Sequence, residues 1–284
     1  MSRQTKLGIS GIWPAKAALV NGSIVAQPEQ WASFYTAVKS HGEQIGIHAP
    51  RNSLQATLDG SSKVPGIPAA VVTDLDVPDE ELTSYGSLLS DIVTNYSINY
   101  LCLGNEIELG SNLAVLATKF NTLYTRIKSA NPNVKVCTVF QFERAKTLPD
   151  IASRAALFSK ADLLCVTSYP NVAFAAQIPG YSKASAIPSN YYSVLSQWSK
   201  KPCFTEIAWD TGQADGVNQQ SAFLQAFFNT LAPKNTEFAN YFTVYDFTIA
   251  QPVPFSRMGL CSISETCRPG DNVWLTAVKV PYQS

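Results

Sequence analysis

Charged residues are scarce in this sequence, and neither sign dominates. Only 15% of the 284 residues are charged, and 21 basic side chains balance 21 acidic ones, so the formal net charge is zero. A neutral chain gains no electrostatic attraction to the phosphates of nucleic acid or to anionic lipids. We therefore expect neither a nucleic-acid partner nor a membrane partner.

Histidine and long apolar runs are also scarce. His41 and His48 are the only histidines, and the cysteine spacing does not match a zinc site, so we expect no metal centre. No apolar run approaches the roughly 20 residues that cross a bilayer. The N-terminal stretch "MSRQTKLGIS" lacks the apolar h-region of a signal peptide. It fits a cytoplasmic protein or a mature secreted chain, and the low charge favours the secreted one.

Six cysteines are present, and they fall into two groups. Cys102, Cys137, Cys165 and Cys203 each lie inside an apolar run, which predicts buried free thiols. Cys261 and Cys267 lie close together in "CSISETC". Their spacing leaves both a local disulfide and two free thiols open.

Short apolar runs alternate with longer segments of helical periodicity. Most of the runs are continuously apolar, as is typical of parallel strands covered on both faces. One helical stripe is formed by Leu113, Leu116, Phe120, Leu123 and Ile127, and similar stripes lie within 31–38 and 223–231. The eight strand candidates are 7–13, 44–50, 69–77, 99–106, 134–142, 161–170, 202–209 and 240–247.

The spacing of these runs predicts the fold class. Eight strands over about 250 residues give about 30 residues per strand–helix unit, the size expected of a closed barrel. An open doubly wound sheet is the alternative, but "GISGIWP" is a poor match to its glycine-rich turn. We predict an α/β fold, a single (β/α)8 TIM barrel, with residues 1–284 as one catalytic domain and a final helix around Trp274.

Two of the predicted strands end in a glutamate. Glu106 follows the apolar run of "LCLGNEIELG", and Glu206 lies late in "KPCFTEIAWD". In a barrel, the carboxyl ends of the strands converge on one face, and strands four and seven lie across its mouth from each other. Two carboxyl groups about 5–5.5 Å apart are what a retaining glycosidase uses as acid/base and nucleophile.

These motifs resemble a known group of enzymes. "GNE" at the end of strand four and "TEIAW" on strand seven are similar to the signature of the glycoside hydrolase clan A, whose members are (β/α)8-barrel retaining glycosidases. The resemblance implies that Glu106 is the acid/base, that Glu206 is the nucleophile and that Asn105 binds the sugar 2-hydroxyl. It also implies that Tyr169 in "TSYP" orients the nucleophile and that Arg51 matches the clan's strand-two arginine. "DLLCVTSYP" and "FTEIAWDTG" look most like the endo-β-1,4-galactanase and endo-β-glucanase branches.

Other candidate residues keep two interpretations each. His48 either bonds a sugar hydroxyl or is a satisfied core histidine. Aromatic side chains at strand ends either stack on sugar rings or pack in the core, and these are Trp13, Trp209, Tyr245 and Phe247. Asp246 and Tyr245 occupy the position where many clan members carry a strand-eight tryptophan, and we expect both to contact the substrate. Four further acids are candidates for the cleft or for solvated strand ends, namely Asp74, Asp76, Glu108 and Glu143; Glu108 is expected at a helix start.

The sequence therefore predicts a retaining β-glycoside hydrolase, endo-acting on an oligo- or polysaccharide, monomeric and without a cofactor. The alternative is a carbohydrate-binding barrel that does not hydrolyse, although such a protein has no need for both carboxylates and Asn105. An aldolase or a metal-dependent hydrolase would need a strand-end lysine or a His/Asp cluster, and neither is seen.

Overall fold

The structure is a computed structural model. It describes residues 6–12, 44–48, 70–96, 98–109, 112–243, 246, 255–262 and 266–279.

Eight parallel strands form one closed sheet. Each strand pairs with the next along the chain, and β8 pairs with β1. The strands are β1 Lys6–Ile12, β2 Gln44–His48, β3 Ala70–Thr73, β4 Tyr100–Leu103, β5 Lys135–Gln141, β6 Leu163–Ser168, β7 Lys201–Ile207 and β8 Phe238–Phe242. All eight predicted strands are present, and several are shorter than the apolar runs because the run continues into the following loop.

Helices surround part of this sheet. They are α1 Leu82–Asn95, α2 Leu113–Ala130, α3 Phe142–Ala145, α4 Ile151–Ala156, α5 Gly216–Ala226 and α6 Pro269–Lys279. Short 3-10 helices are Asp79–Glu81, Ile107–Leu109, Ala184–Ala186, Ser193–Gln197 and Phe255–Arg257, and a π-helical turn, Phe227–Leu231, extends α5. No helix within the described ranges has the length and apolar character to cross a membrane.

The prediction of a parallel α/β barrel sheet is confirmed, but the complete (β/α)8 repeat is not. Every residue between β6 and β7 is described, and only 3-10 helices connect these strands. The segments that follow β1 and β2, including the predicted stripe at 31–38, lie outside the described residues.

The sheet separates two apolar layers because successive side chains of a strand point to opposite faces. One layer fills the barrel interior and contains Ala70, Val72, Tyr100, Cys102, Cys137, Val139, Leu163, Cys165, Cys203 and Phe238. The other layer lies between sheet and helices, where Leu101, Val136 and Phe204 meet the buried faces of the helices. The predicted stripe of α2 packs there through Phe120, Leu123 and Ile127.

The prediction of four buried free thiols is wrong. Cys102 is in register with Cys137 on the neighbouring strand, and Cys165 with Cys203, and each pair is a disulfide with Cα atoms 4.2 and 4.3 Å apart. The apolar runs hide this because in-register neighbours on adjacent parallel strands cannot be read from one strand alone. Cys261 and Cys267 also form a disulfide, which resolves that open alternative.

Candidate active site

Glu106 follows β4 on a tightly folded stretch of backbone. Gly104 has φ +81°, and a side chain there would collide with Ile107 and Leu75. Glu106 itself has φ +52°, in the left-handed region that residues other than glycine seldom adopt. Such backbone conformations cluster at functional sites, where the surrounding structure holds them in place. The Thr167 hydroxyl donates to Glu106 Oε1 at 2.8 Å and fixes the carboxyl group.

The surroundings of Glu106 raise its pKa to about 7. Burial is the largest cause, and the charges of Glu206 and Glu108 add to it; the Thr167 hydrogen bond and the charge of Arg144 act in the opposite direction. A carboxyl group with this pKa is partly protonated at neutral pH. It can therefore donate a proton there and take one back, as an acid/base catalyst must.

Glu206 is buried within β7 and is held on both carboxylate oxygens. The Tyr169 hydroxyl donates to Oε2, and His48 Nε2 forms an ion-pair contact with Oε1. Burial, together with the charges of Glu206 and Glu106, raises the pKa of the Tyr169 hydroxyl well above its usual value, so Tyr169 stays a neutral donor. These two contacts, one on each oxygen, fix the orientation of the Glu206 carboxylate.

A bulge turns Glu206 into the barrel. Phe204 is paired with Val166, but Glu206 is paired with Thr167, so β7 contains one residue more than β6 at this point. Cys203 faces the interior, and strict alternation would direct Glu206 to the outside. The extra residue, Thr205, reverses the alternation and brings Glu206 to the face that carries Thr167 and Tyr169.

His48 has a role that neither of its two sequence-based interpretations contained. It is the last residue of β2, and it contacts the carboxylate of Glu206. Burial lowers the His48 pKa, but the charge and hydrogen bond of Glu206, with a contribution from Glu106, outweigh burial, so its pKa lies above the usual value. The imidazole is therefore a titratable partner of the Glu206 carboxylate.

Asn105 and two acids lie around a cavity beside Glu106. The cavity has a volume of about 350 Å³ and is lined by apolar residues and by His48, Thr73, Asp74, Asp76 and Asn105. Asp74, Asp76 and Asn105 are exposed. The carbonyl and carboxylate groups of this lining are suited to hydrogen bonds with hydroxyl groups of a sugar.

The other predicted site residues divide into two groups. Trp209 is fully buried and stacks on Phe223 at 5.5 Å, so of its two interpretations core packing is confirmed and sugar stacking is wrong. The carboxylate of Asp246 binds Arg268 and the backbone N–H of Gly259, which gives it a structural role instead of the predicted substrate contact. Trp13, Arg51, Tyr245 and Phe247 lie outside the described residues.

Glu108, which was expected at a helix start, and Glu143, a candidate for the cleft or for a solvated strand end, are both buried. Glu108 lies in the 3-10 helix Ile107–Leu109, is fully buried, and accepts a hydrogen bond from the backbone N–H of Gln141 at 2.8 Å. Glu143 follows β5 and accepts four hydrogen bonds. Thr167, which binds Glu106, was missed because a threonine inside an apolar strand carries no sequence signal of a catalytic contact.

The fold and site place this chain among closed parallel barrels with two glutamates at the carboxyl ends of β4 and β7. No protein-family model and no curated protein matches the sequence. Solved structures match over nearly the whole chain. A β-D-glucuronidase of Dictyoglomus thermophilum is 12% identical over 96% of this chain, with a TM-score of 0.66. A β-galacturonidase of Eisenbergiella tayi is 13% identical over 96%, with a TM-score of 0.62.

An exo-β-1,4-mannosidase from Opitutaceae bacterium strain TAV5 is 11% identical over 98% of the chain, with a TM-score of 0.70. The chain spans 50%, 51% and 60% of these three structures, respectively. At sequence identities this low, the structural similarity establishes a shared fold alone. These three enzymes are glycosidases, and none of the three is a galactanase or a glucanase, the branches that the motifs resemble.

Proposed function

We propose that the chain is a retaining β-glycoside hydrolase, with Glu106 as acid/base, Glu206 as nucleophile and residues 1–284 as one catalytic barrel domain. One observation carries the proposal: the two glutamates lie at the same end of one closed sheet, near enough for the charge of Glu206 to raise the pKa of Glu106, and their surroundings differ. Glu106 has a pKa of about 7, whereas Glu206 is held by Tyr169 and His48. A retaining glycosidase needs two carboxyl groups with different roles, one that donates a proton and one that is held in place for attack.

The reaction has two displacements. Glu106 gives its proton to the glycosidic oxygen while Glu206 Oε attacks the anomeric carbon, so the leaving alcohol departs and a glycosyl ester forms on Glu206. Glu106, now a carboxylate, takes a proton from water, whose oxygen attacks the same carbon and releases Glu206. Because the ester removes the negative charge of Glu206, the pKa of Glu106 falls in the intermediate, which suits its role as base.

The proposal also covers the substrate, the glycosidase branch and the compartment in which the protein acts. Sequence motifs support endo action on an oligo- or polysaccharide near the galactanase and glucanase branches, whereas the mannosidase among the matched structures is exo-acting. Three disulfides favour an oxidising compartment, in agreement with a secreted chain. We propose a monomer that uses no cofactor.

The decisive experiment compares Glu106→Gln with Glu206→Gln on aryl β-glycosides of different leaving groups. With a poor leaving group, Glu106→Gln lowers kcat/KM by roughly 10²–10⁴-fold, because general acid catalysis is lost. A dinitrophenyl glycoside needs no proton, so Glu106→Gln still forms the intermediate, and azide restores its turnover. Glu206→Gln is inactive on both substrates.

The matched control is Glu237→Gln, a glutamate that binds Lys135 and Lys201 beside the start of β8, at the opposite end of the barrel from Glu206. It is expected to keep the wild-type rate. Wild-type rates in both active-site variants would overturn the proposal. Saccharide binding in calorimetry without product release would indicate the non-hydrolytic barrel instead.

A further inference from the structure

Glu143 is a buried carboxylate outside the pair of glutamates assigned to the reaction. It lies in α3, directly after β5, and its exposed fraction is 2%. No lysine or arginine in the described part of the chain lies within ion-pair distance of it. A buried carboxylate is costly unless hydrogen bonds replace the lost water.

Four donors supply these hydrogen bonds. The hydroxyls of Ser168 and Tyr191 donate to Oε1 at 2.6 and 3.0 Å. The Tyr169 backbone N–H donates to Oε2 at 3.1 Å, and the Gln141 side-chain amide donates to the same oxygen at 2.5 Å. Two of the four donors therefore belong to the adjacent residues Ser168 and Tyr169.

These hydrogen bonds lie where the pairing between β5 and β6 ends. The ladder between β5 and β6 ends at the pair Gln141 and Thr167. Tyr169 lies beyond the end of that ladder, and the side chain of Glu143 accepts its backbone N–H there. The same residue, Tyr169, extends its hydroxyl to Glu206.

We propose that Glu143 is a positioning residue, which fixes the Tyr169 backbone and thereby the hydroxyl that holds Glu206. The inference rests on the proposed function, because it treats Glu206 as the nucleophile. What matters in this role is the reach of the acceptor oxygen and not the charge. A glutamine keeps that reach: its carbonyl oxygen accepts the Tyr169 N–H, and its NH₂ group donates to the oxygens of Ser168 and Tyr191.

The test is the contrast between Glu143→Asp and Glu143→Gln. Aspartate keeps the charge but withdraws the acceptor by one methylene, and we expect a roughly 10–100-fold loss of kcat/KM on a dinitrophenyl glycoside, as for other small misplacements of reacting groups. Glutamine is expected to stay within about twofold of wild type. The reverse order, with aspartate active and glutamine impaired, would refute positioning by reach.

A double-mutant cycle with Tyr169→Phe separates positioning from loss of stability. If Glu143 acts through the Tyr169 hydroxyl, Glu143→Asp costs within about twofold in the Tyr169→Phe background. An equal loss in both backgrounds overturns the proposal. Tyr191→Phe is the matched control, because it removes an Oε1 partner and leaves the Tyr169 contact intact, so it lowers Tm without changing kcat.

The same assay distinguishes the two proposals. Wild-type activity in Glu206→Gln refutes the proposed function itself. An inactive Glu206→Gln together with wild-type activity in Glu143→Asp refutes only the role of Glu143.

Discussion

At the scale of single residues, the site depends on the different surroundings of two glutamate side chains. Glu106 lies on left-handed backbone and accepts one hydroxyl hydrogen bond, and burial with neighbouring negative charge raises its pKa. Glu206 is surrounded by a donor on each oxygen. In the sequence, both are simply glutamates that follow an apolar run. The difference between them comes from the side chains that surround each one in the structure.

The pKa of Glu106 predicts the alkaline limb of the pH profile. As an acid, Glu106 must be protonated in the free enzyme, and the protonated form declines as pH rises through about 7. We therefore expect kcat/KM for an aryl glycoside with a poor leaving group to fall tenfold per pH unit above that value.

Glu106→Gln assayed with the dinitrophenyl glycoside is the control for this limb. Glutamine at position 106 does not titrate, and the dinitrophenyl glycoside needs no acid catalyst. The pH profile of kcat/KM for this variant is therefore expected to show no fall near pH 7. If the fall in rate near pH 7 persists in this variant, another titrating group causes it. His48 is then the first candidate, because its pKa is also raised.

At the scale of elements, pairing between neighbouring strands decides which side chains meet. The extra residue in β7 directs Glu206 inward, and the register of β4 with β5 and of β6 with β7 brings four cysteines together as two disulfides. Sγ atoms of Cys102 and Cys165 lie 3.7 Å apart, so the two disulfides touch inside the barrel. They tie four consecutive strands, which carry Glu106 and Glu206 at the two ends of the set.

These disulfides predict a graded loss of stability. The Cys102–Cys137 disulfide closes a chain separation of 35 residues, and the Cys261–Cys267 disulfide closes one of 6. Loop-closure entropy then makes the first worth about 4 kcal/mol and the second about 2 kcal/mol. Urea unfolding of the two double alanine variants measures both, and the expected order is a larger loss for Cys102 and Cys137.

Mass spectrometry of the alkylated wild-type chain provides the control, since no thiol is expected to react before reduction. Free thiols at Cys102 or Cys165 in the folded protein, or equal stability of the two double variants, would contradict the assignment.

At the scale of the whole molecule, the lining of the cavity beside Glu106 is acidic. Asp74 and Asp76 follow β3 and line the cavity beside Glu106. Arg144 lies after β5, is not among the residues that line this cavity, and stacks on the Phe174 ring, 5.0 Å from the ring centroid. Two of the matched structures are a glucuronidase and a galacturonidase, whose substrates carry a carboxylate.

The acidic lining predicts that this chain prefers a neutral sugar. A uronate carboxylate beside Asp74 and Asp76 suffers like-charge repulsion, which costs several kcal/mol in a close contact. We expect the nitrophenyl β-glucoside or β-galactoside to exceed the matching uronide in kcat/KM by at least about tenfold. Asp74→Asn and Asp76→Asn, measured beside the wild type, should narrow that ratio, and a faster uronide would refute the charge argument.

Much of this organisation is determined by the sequence. Eight apolar runs predicted eight strands, the stripe of α2 predicted its buried face, and the helix around Trp274 was found as α6. The positions of Glu106, Glu206 and Tyr169 at strand ends followed from the same pattern. These features are local, because apolar character and periodicity within a few residues decide which segments are buried.

Only the tertiary structure decided which side chains meet. The bulge that redirects Glu206, the contact of His48 with it, the two interior disulfides and the burial of Trp209 and Glu143 all depend on the register and closure of the sheet. A shift of one residue between neighbouring strands moves a side chain to the other face, and no pattern within a single strand records that shift. For this reason the sequence located the strand ends, whereas the partners of the side chains there came from the fold.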